Sequence, residues 1–167
     1  MTPLPGTLGN GDMVGWRLDR KEFGPTWNSG EGAFRFGGRW NSRGNRIVYA
    51  ALDPSTCILE VAVHKTFRAL DIVPHILTSF RIESAADVHI VDADDVPNAN
   101  WLRPGIPSAG QQAFGDLLTA KHPFVLIPSA VSTRSWNVIF DPGLAAGRYA
   151  LLRQEAFALD TRLHPPA

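Results

Sequence analysis

The sequence predicts an α+β fold, a mixed or antiparallel β core with flanking helices. Short apolar runs rich in β-branched and aromatic residues recur along the chain, as in residues 47–50, 76–82 and 136–140. Clear helix-opening signals occur at two places, Asp53-Pro54 and Ser108-Ala109-Gly110-Gln111. The resulting order is neither a regular βαβ alternation nor all-β.

Taken in order, residues 1–12 are rich in Pro and Gly and read as an irregular lead-in to a single domain over residues 13–167. Residues 13–18 read as a short strand with Trp16 and Leu18 on one face and Arg17 on the other. The glycine-rich stretch 23–46 reads as a long loop with turns and one short strand at 33–36, and loops of that length inside a compact domain are commonly functional. Residues 46–52 read as a buried strand. Asp53 then caps a helix, Pro54 suits its first turn, and the helix runs to about Arg68. Strands follow at 76–82 and 88–91, then a loop rich in Asp, Asn and Pro over 93–107. Ser108 and Gln111 have capping-box spacing and open a helix to about Lys121. Residues 124–131, 136–140 and 150–158 read as the last strands.

The chain of 167 residues is 44% hydrophobic and 19% charged, which supports a real core and excludes global disorder. Sixteen basic residues balance sixteen acidic ones, and that balance argues against a nucleic-acid binder. Locally the balance fails: residues 1–50 hold seven basic residues against four acidic. Thirteen of the basic residues are Arg, whose planar fork suits phosphate or carboxylate. One cysteine, Cys57, excludes an internal disulfide and fits a reducing compartment; its apolar neighbours make it a small buried hydrophobe. No signal peptide or membrane-spanning apolar run is evident, so a cytoplasmic protein is expected.

Several chemistries can be set aside on motif grounds. Gly30-Glu31-Gly32 begins like a dinucleotide fingerprint, but Arg35 stands where its third glycine belongs. A P-loop is absent, and the five histidines show no ligand spacing, so no metal is expected. Ser129 lies outside a G-x-S-x-G elbow and reads as a strand-end serine bonded to backbone. Two features stay open to two readings. Gly37-Gly38-Arg39 is either a ligand-approach loop beside a guanidinium or a turn with an exposed Arg. Glu60, set between Cys57-Ile58-Leu59 and Val61-Ala62-Val63, is either a structural partner of an upstream Arg or a catalytic acid.

The blocks Gly37-Gly38-Arg39-Trp40-Asn41, Ile47-Val48-Tyr49-Ala50 and Leu59-Glu60-Val61 together resemble the RES domain, a family named for an arginine, a glutamate and a serine. Trp16-Arg17, Gln112-Ala113-Phe114-Gly115-Asp116, Ile127-Pro128-Ser129-Ala130-Val131 and Asn137-Val138 with Asp141-Pro142 extend the likeness over about residues 13–150. The resemblance implies a fold like that of ADP-ribosyltransferase toxins and a toxin partnered by an Xre-type helix-turn-helix antitoxin. It implies NAD as substrate, with Arg17 and Arg39 on its phosphates, Gly38 beside them, Tyr49 at the nicotinamide side and Glu60 as catalytic acid, joined in catalysis by Arg39 and Ser129. Ser129 is the implied family serine, with Ser108, also an implied NAD contact, as a second candidate. Some members carry Tyr directly after the first arginine, where this chain has Leu18.

The expected function is therefore a toxin that cleaves the nicotinamide–ribose bond of NAD by hydrolysis or phosphorolysis. The alternatives are a mono-ADP-ribosyltransferase acting on a protein acceptor, and a non-catalytic interaction module. Neither a membrane nor a nucleic acid is an expected direct partner.

Overall fold

A computed structural model describes residues 12–103 and 105–163. Apart from Asp12, the lead-in expected over residues 1–12 lies outside them, as does His164. Seven strands form one sheet: β1 (Met13–Arg20), β2 (Val48–Ala51), β3 (His75–Ile82), β4 (Val88–Ile90), β5 (Phe124–Pro128), β6 (Trp136–Phe140) and β7 (Tyr149–Phe157). Their spatial order is β4-β5-β6-β2-β1-β3-β7. Every pairing is antiparallel except β4 with β5. The α+β class with a mixed sheet is thus the observed one.

The sheet has a seam. β1 pairs with β3 over eight residues and β2 with β6 over four, yet β1 meets β2 at one pair, Trp16 opposite Ala51. The halves β4-β5-β6-β2 and β1-β3-β7 therefore diverge on either side of that point. Both are covered on the same face by helices. Leu18, Ala51 and Leu77 pack against Cys57, Ala62 and Leu70 of α2 (Pro54–Ile72). Val125, Ile127 and Ile139 pack with Trp40 and Trp101, flanked by Phe114 and Leu118 of α3 (Ala109–Lys121). The opposite face buries Val48, Ala50, Phe80, Phe124, Val138 and Phe140 with Trp27. There Phe80, Phe124, Phe140 and Tyr149 meet edge-on or tilted at 5.3–6.2 Å between centroids, the arrangement that ring quadrupoles favour.

Both helix starts follow the capping rules. The Asp53 carboxylate accepts from Thr56 N at 2.8 Å with Pro54 in the first turn, and Ser108 Oγ accepts from Gln111 N at 3.1 Å. Asp53→Ala should cost about 1 kcal/mol of stability, read as a lower urea midpoint at unchanged slope. An unchanged midpoint would show the cap contributes nothing. α2 extends beyond the expected Arg68 but breaks at Thr66, whose φ of 69° is unusual for a β-branched residue.

One element differs in kind from expectation. Residues 33–36 are not a strand but belong to a short helix, α1 (Glu31–Phe36). Glu31 ties it together by accepting from Arg35 Nε at 2.6 Å, one turn away, and by pairing with Arg46. A run of four residues, three of them apolar, cannot distinguish one helical turn from a strand. The expected strand at 124–131 also stops early, at Pro128, which leaves Ser129 in the β5–β6 turn. No helix among the described residues is long and apolar enough to cross a membrane.

Candidate active site

Glu60 faces the sheet from α2. Its Oε1 accepts two hydrogen bonds of 2.7 Å, one from Ser129 Oγ and one from Asn137 Nδ2. Asn137 reaches it because it stands opposite Ala51 on β2 and Ile127 on β5, both of which face the helices. Among the described residues neither of these donors falls on Oε2. The expected structural partner for Glu60 was an upstream arginine; among the described residues its ion pair is absent, and neutral donors take that place. The helix is not buried all round, because Leu59 and Val63 are 36% and 60% exposed.

Ser129 is fully used. Its hydroxyl proton goes to Glu60, and its oxygen accepts from Val131 N at 3.2 Å and Ser132 N at 3.0 Å. A hydroxyl has one proton and two lone pairs, so nothing is left for nucleophilic work. The expected backbone bonding of this serine is present. In addition, Ser129 joins the β5–β6 turn to the carboxylate on α2.

Asn137 is the member that reasoning about single residues passes over. A signal exists in the pattern, since Asn137 occupies an inward position two residues from buried Ile139. A polar side chain there needs a partner. Its Nδ2 has one in Glu60, whereas its Oδ1 is buried without a protein partner among the described residues.

The Gly37–Asn41 loop is held just as closely. Tyr49, opposite Ile139 on β2, faces the same side of the sheet as Asn137, so diagonal neighbours on this face bring the two within about 7–8 Å. The Tyr49 hydroxyl donates to Asn41 Oδ1 at 2.7 Å and accepts from Trp40 N at 3.0 Å. Burial pushes its phenol far above its ordinary 10.0, so it stays protonated and acts as a neutral clasp. From α3, Gln112 Nε2 donates to Gly38 O at 2.8 Å and the Asp116 carboxylate accepts from Ser42 N. Gly38 has to be glycine: a Cβ there would lie 2.6 Å from the Tyr49 hydroxyl and 2.7 Å from Asn41 Oδ1. Tyr49→Phe would leave Trp40 N–H and Asn41 Oδ1 short of a partner, a cost of about 1–3 kcal/mol. Chemical denaturation measures it, and wild-type stability would show the clasp to be dispensable.

Arg39, at the tip of that loop, extends to the segment before α3. Its Nη1 donates to Trp101 O at 2.9 Å and Arg103 O at 3.3 Å. Arg17 sits at the seam of the sheet. The Asp19 carboxylate grips it through two bonds of 2.7 and 2.8 Å, and its Nη1 donates to Tyr49 O at 2.6 Å. The guanidinium thereby satisfies a β2 carbonyl beside the point where the β1–β2 ladder ends, riveting the two halves together. Leu18 next to it is 4% exposed and packs under α2. Ser108 is accounted for as the cap of α3. Cys57 is buried on the inner face of α2, which pushes its thiol up to about 12; such a thiol is inert.

The structure thus brings Glu60, Ser129 and Asn137 together, sets Tyr49, Gly38 and Arg39 in an adjoining clasped loop, and places Arg17 in the seam. Residues 15–160 match the RES domain family. Three curated proteins called Toxin Res are similar to the chain. That of Photorhabdus laumondii is 32% identical over 136 residues, 78% of this chain and 82% of that protein. That of Pseudomonas putida is 30% identical over 135 residues, 81% and 91%. That of Yersinia enterocolitica is 26% identical over 152 residues, 86% and 94%. In fold, the chain resembles one in the crystal structure of the M. tuberculosis MbcT-MbcA toxin-antitoxin complex. The TM-score is 0.67 at 21% identity, over 88% of this chain and 85% of that one. With a match over most of its length and relatives at this identity, the chain belongs to the RES domain family.

Proposed function

We propose that the chain is the toxin of a toxin–antitoxin pair and consumes NAD by cleaving its nicotinamide–ribose bond, with an Xre-type antitoxin as its partner. The observation that carries the chemistry is the Glu60 carboxylate, held through one oxygen by Ser129 and Asn137. The names of the relatives support the toxin reading.

The C–N bond breaks with its electron pair moving to the pyridinium nitrogen, so nicotinamide leaves neutral and needs no general acid. Positive charge grows on the ribose, as in glycoside cleavage. A carboxylate fixed beforehand stabilises that charge without reorganising. Water or phosphate then bonds to the anomeric carbon, and its proton is released. Holding Oε1 with two donors directs Glu60 and leaves Oε2 for the ribose or the incoming nucleophile, while Ser129 and Asn137 act as positioning residues. Arg39 supplies a guanidinium for the pyrophosphate, with Gly38 letting the ligand approach the backbone. Arg17 holds the seam through Asp19 and Tyr49 O, which uses three of its five N–H groups and leaves two to meet a phosphate.

Incubating the protein with NAD, with and without phosphate, and resolving the products by mass spectrometry tests this. Nicotinamide with ADP-ribose indicates hydrolysis; nicotinamide with ADP-ribose 1″-phosphate indicates phosphorolysis. ADP-ribose appearing on an added protein would replace this reading with the transferase, and no loss of NAD under any condition would overturn both.

A further inference from the structure

β7 closes one end of the sheet, and among the described residues no strand lies on its outer side. Its nine residues make it the longest strand described. Such an edge offers a row of backbone donors and acceptors to another chain, and edges are commonly blunted by Pro, Lys or a covering segment. β7 contains neither Pro nor Lys. Leu151 and Leu152 on it are 52% and 47% exposed.

Which backbone groups face outward follows from the register. Lys21 N donates to Pro74 O at 2.9 Å, one step beyond the pair Arg20–His75, so Pro74 turns its carbonyl towards β1. Successive strand residues bond to alternate sides, so His75, Leu77 and Ser79 turn towards β7. Glu83 N, donating to Arg148 O, keeps the same phase. The partners of those three, Phe157, Glu155 and Arg153, therefore direct their groups to β3. Gln154 and Ala156 turn theirs outward, and among the described residues no backbone group of another segment meets them.

The charges select the occupant. Paired residues share one phase, so two copies of β7 related by a two-fold axis are centred on a residue, never between two. Centring on Arg153 or on Glu155 sets like charges directly opposite, which is destabilising. Centring on Ala156 leaves both charges unmatched. Centring on Gln154 sets Arg153 opposite Glu155 of the second copy, and Glu155 opposite its Arg153. The backbone bonds then fall on the outward-facing Gln154, and the charged pairs take the positions without such bonds, where opposed side chains come closest. Arg153 and Glu155 already lie 3.0 Å apart along the strand, so four alternating charges close a ring with like charges only on its diagonals. The register shift at Leu152 lies outside this central segment.

We propose that β7 is the interface of a homodimer, pairing antiparallel with β7 of a second copy about a two-fold axis through Gln154. The interface shares no residue with the proposed NAD chemistry and stands or falls independently of it.

Sedimentation equilibrium of the full chain should show a concentration-dependent dimer. Arg153→Glu and Glu155→Arg, each alone, place like charges opposite one another twice and should weaken it at least about tenfold. Mixing the two variants should restore dimerisation, because every opposed pair is again unlike. The double variant should dimerise within about threefold of wild type. Hydrogen exchange should show the Gln154 and Ala156 amides protected in the wild-type dimer and freed in either single variant, with thermal melts reporting an intact fold. A chain that stays monomeric up to about 1 mM overturns the proposal. So does a dimer that the single reversals leave unchanged, or one whose Gln154 and Ala156 amides exchange freely.

Discussion

Glu60→Gln is expected to lower NAD turnover by about 10²–10³-fold, the range for removing one preorganised electrostatic group, while leaving the fold intact. The substitution keeps an oxygen that accepts from Ser129 and Asn137 and replaces the outer oxygen with an amide. Packing under α2 does not change, and no buried donor loses its partner. Only the charge beside the developing cation disappears. Nicotinamide release and a thermal melt on the same sample separate the two consequences. A melt close to wild type with turnover retained would refute the catalytic role. Loss of folding would instead identify Glu60 as a structural anchor, which is what an interaction module requires. Ser129→Ala is a less clean substitution, because it also strands the N–H groups of Val131 and Ser132.

Much of this architecture is legible in the sequence. Strands such as Trp136–Phe140 are short runs rich in β-branched and aromatic residues, and both long helices open at residues whose side chains do cap them. What the sequence hides depends on contacts between distant segments. Glu60 meets Ser129 and Asn137 across separations of 69 and 77 residues, so nothing local indicates that amide and hydroxyl would replace a guanidinium. The strand order is equally non-local. Arg17 differs: Asp19 lies two residues away on the same strand, hence on the same face, and that pairing is readable. The motif Gln112-Ala113-Phe114-Gly115-Asp116 stands out in the sequence only through the family resemblance. Its physical content is that one helix face clasps the Gly37–Asn41 loop and the residue after it at three points.

The middle of those points gives the second large effect. Gly115→Ala should lower stability by at least about 2–3 kcal/mol and lower activity in the fraction that still folds. A Cβ at Gly115 would lie 2.0 Å from Trp40 O, 2.7 Å from Trp40 C and 2.8 Å from Trp40 Cβ. Two of these are backbone atoms, so no rotamer change relieves the overlap. α3 cannot retreat without giving up Gln112 on Gly38 O and Asp116 on Ser42 N. The loop cannot retreat without opening the Tyr49 clasp and drawing Arg39 away from Trp101. Either movement displaces the arginine assigned to the pyrophosphate, so KM for NAD should rise along with the loss of stability. Gly110 provides the control within the same helix. A Cβ there meets nothing nearer than Ser108 Oγ at 4.0 Å, so Gly110→Ala should be neutral or stabilising by up to about 1 kcal/mol. If the two variants had equal urea midpoints and equal KM, close approach of α3 to the loop would not be what holds Arg39 in place.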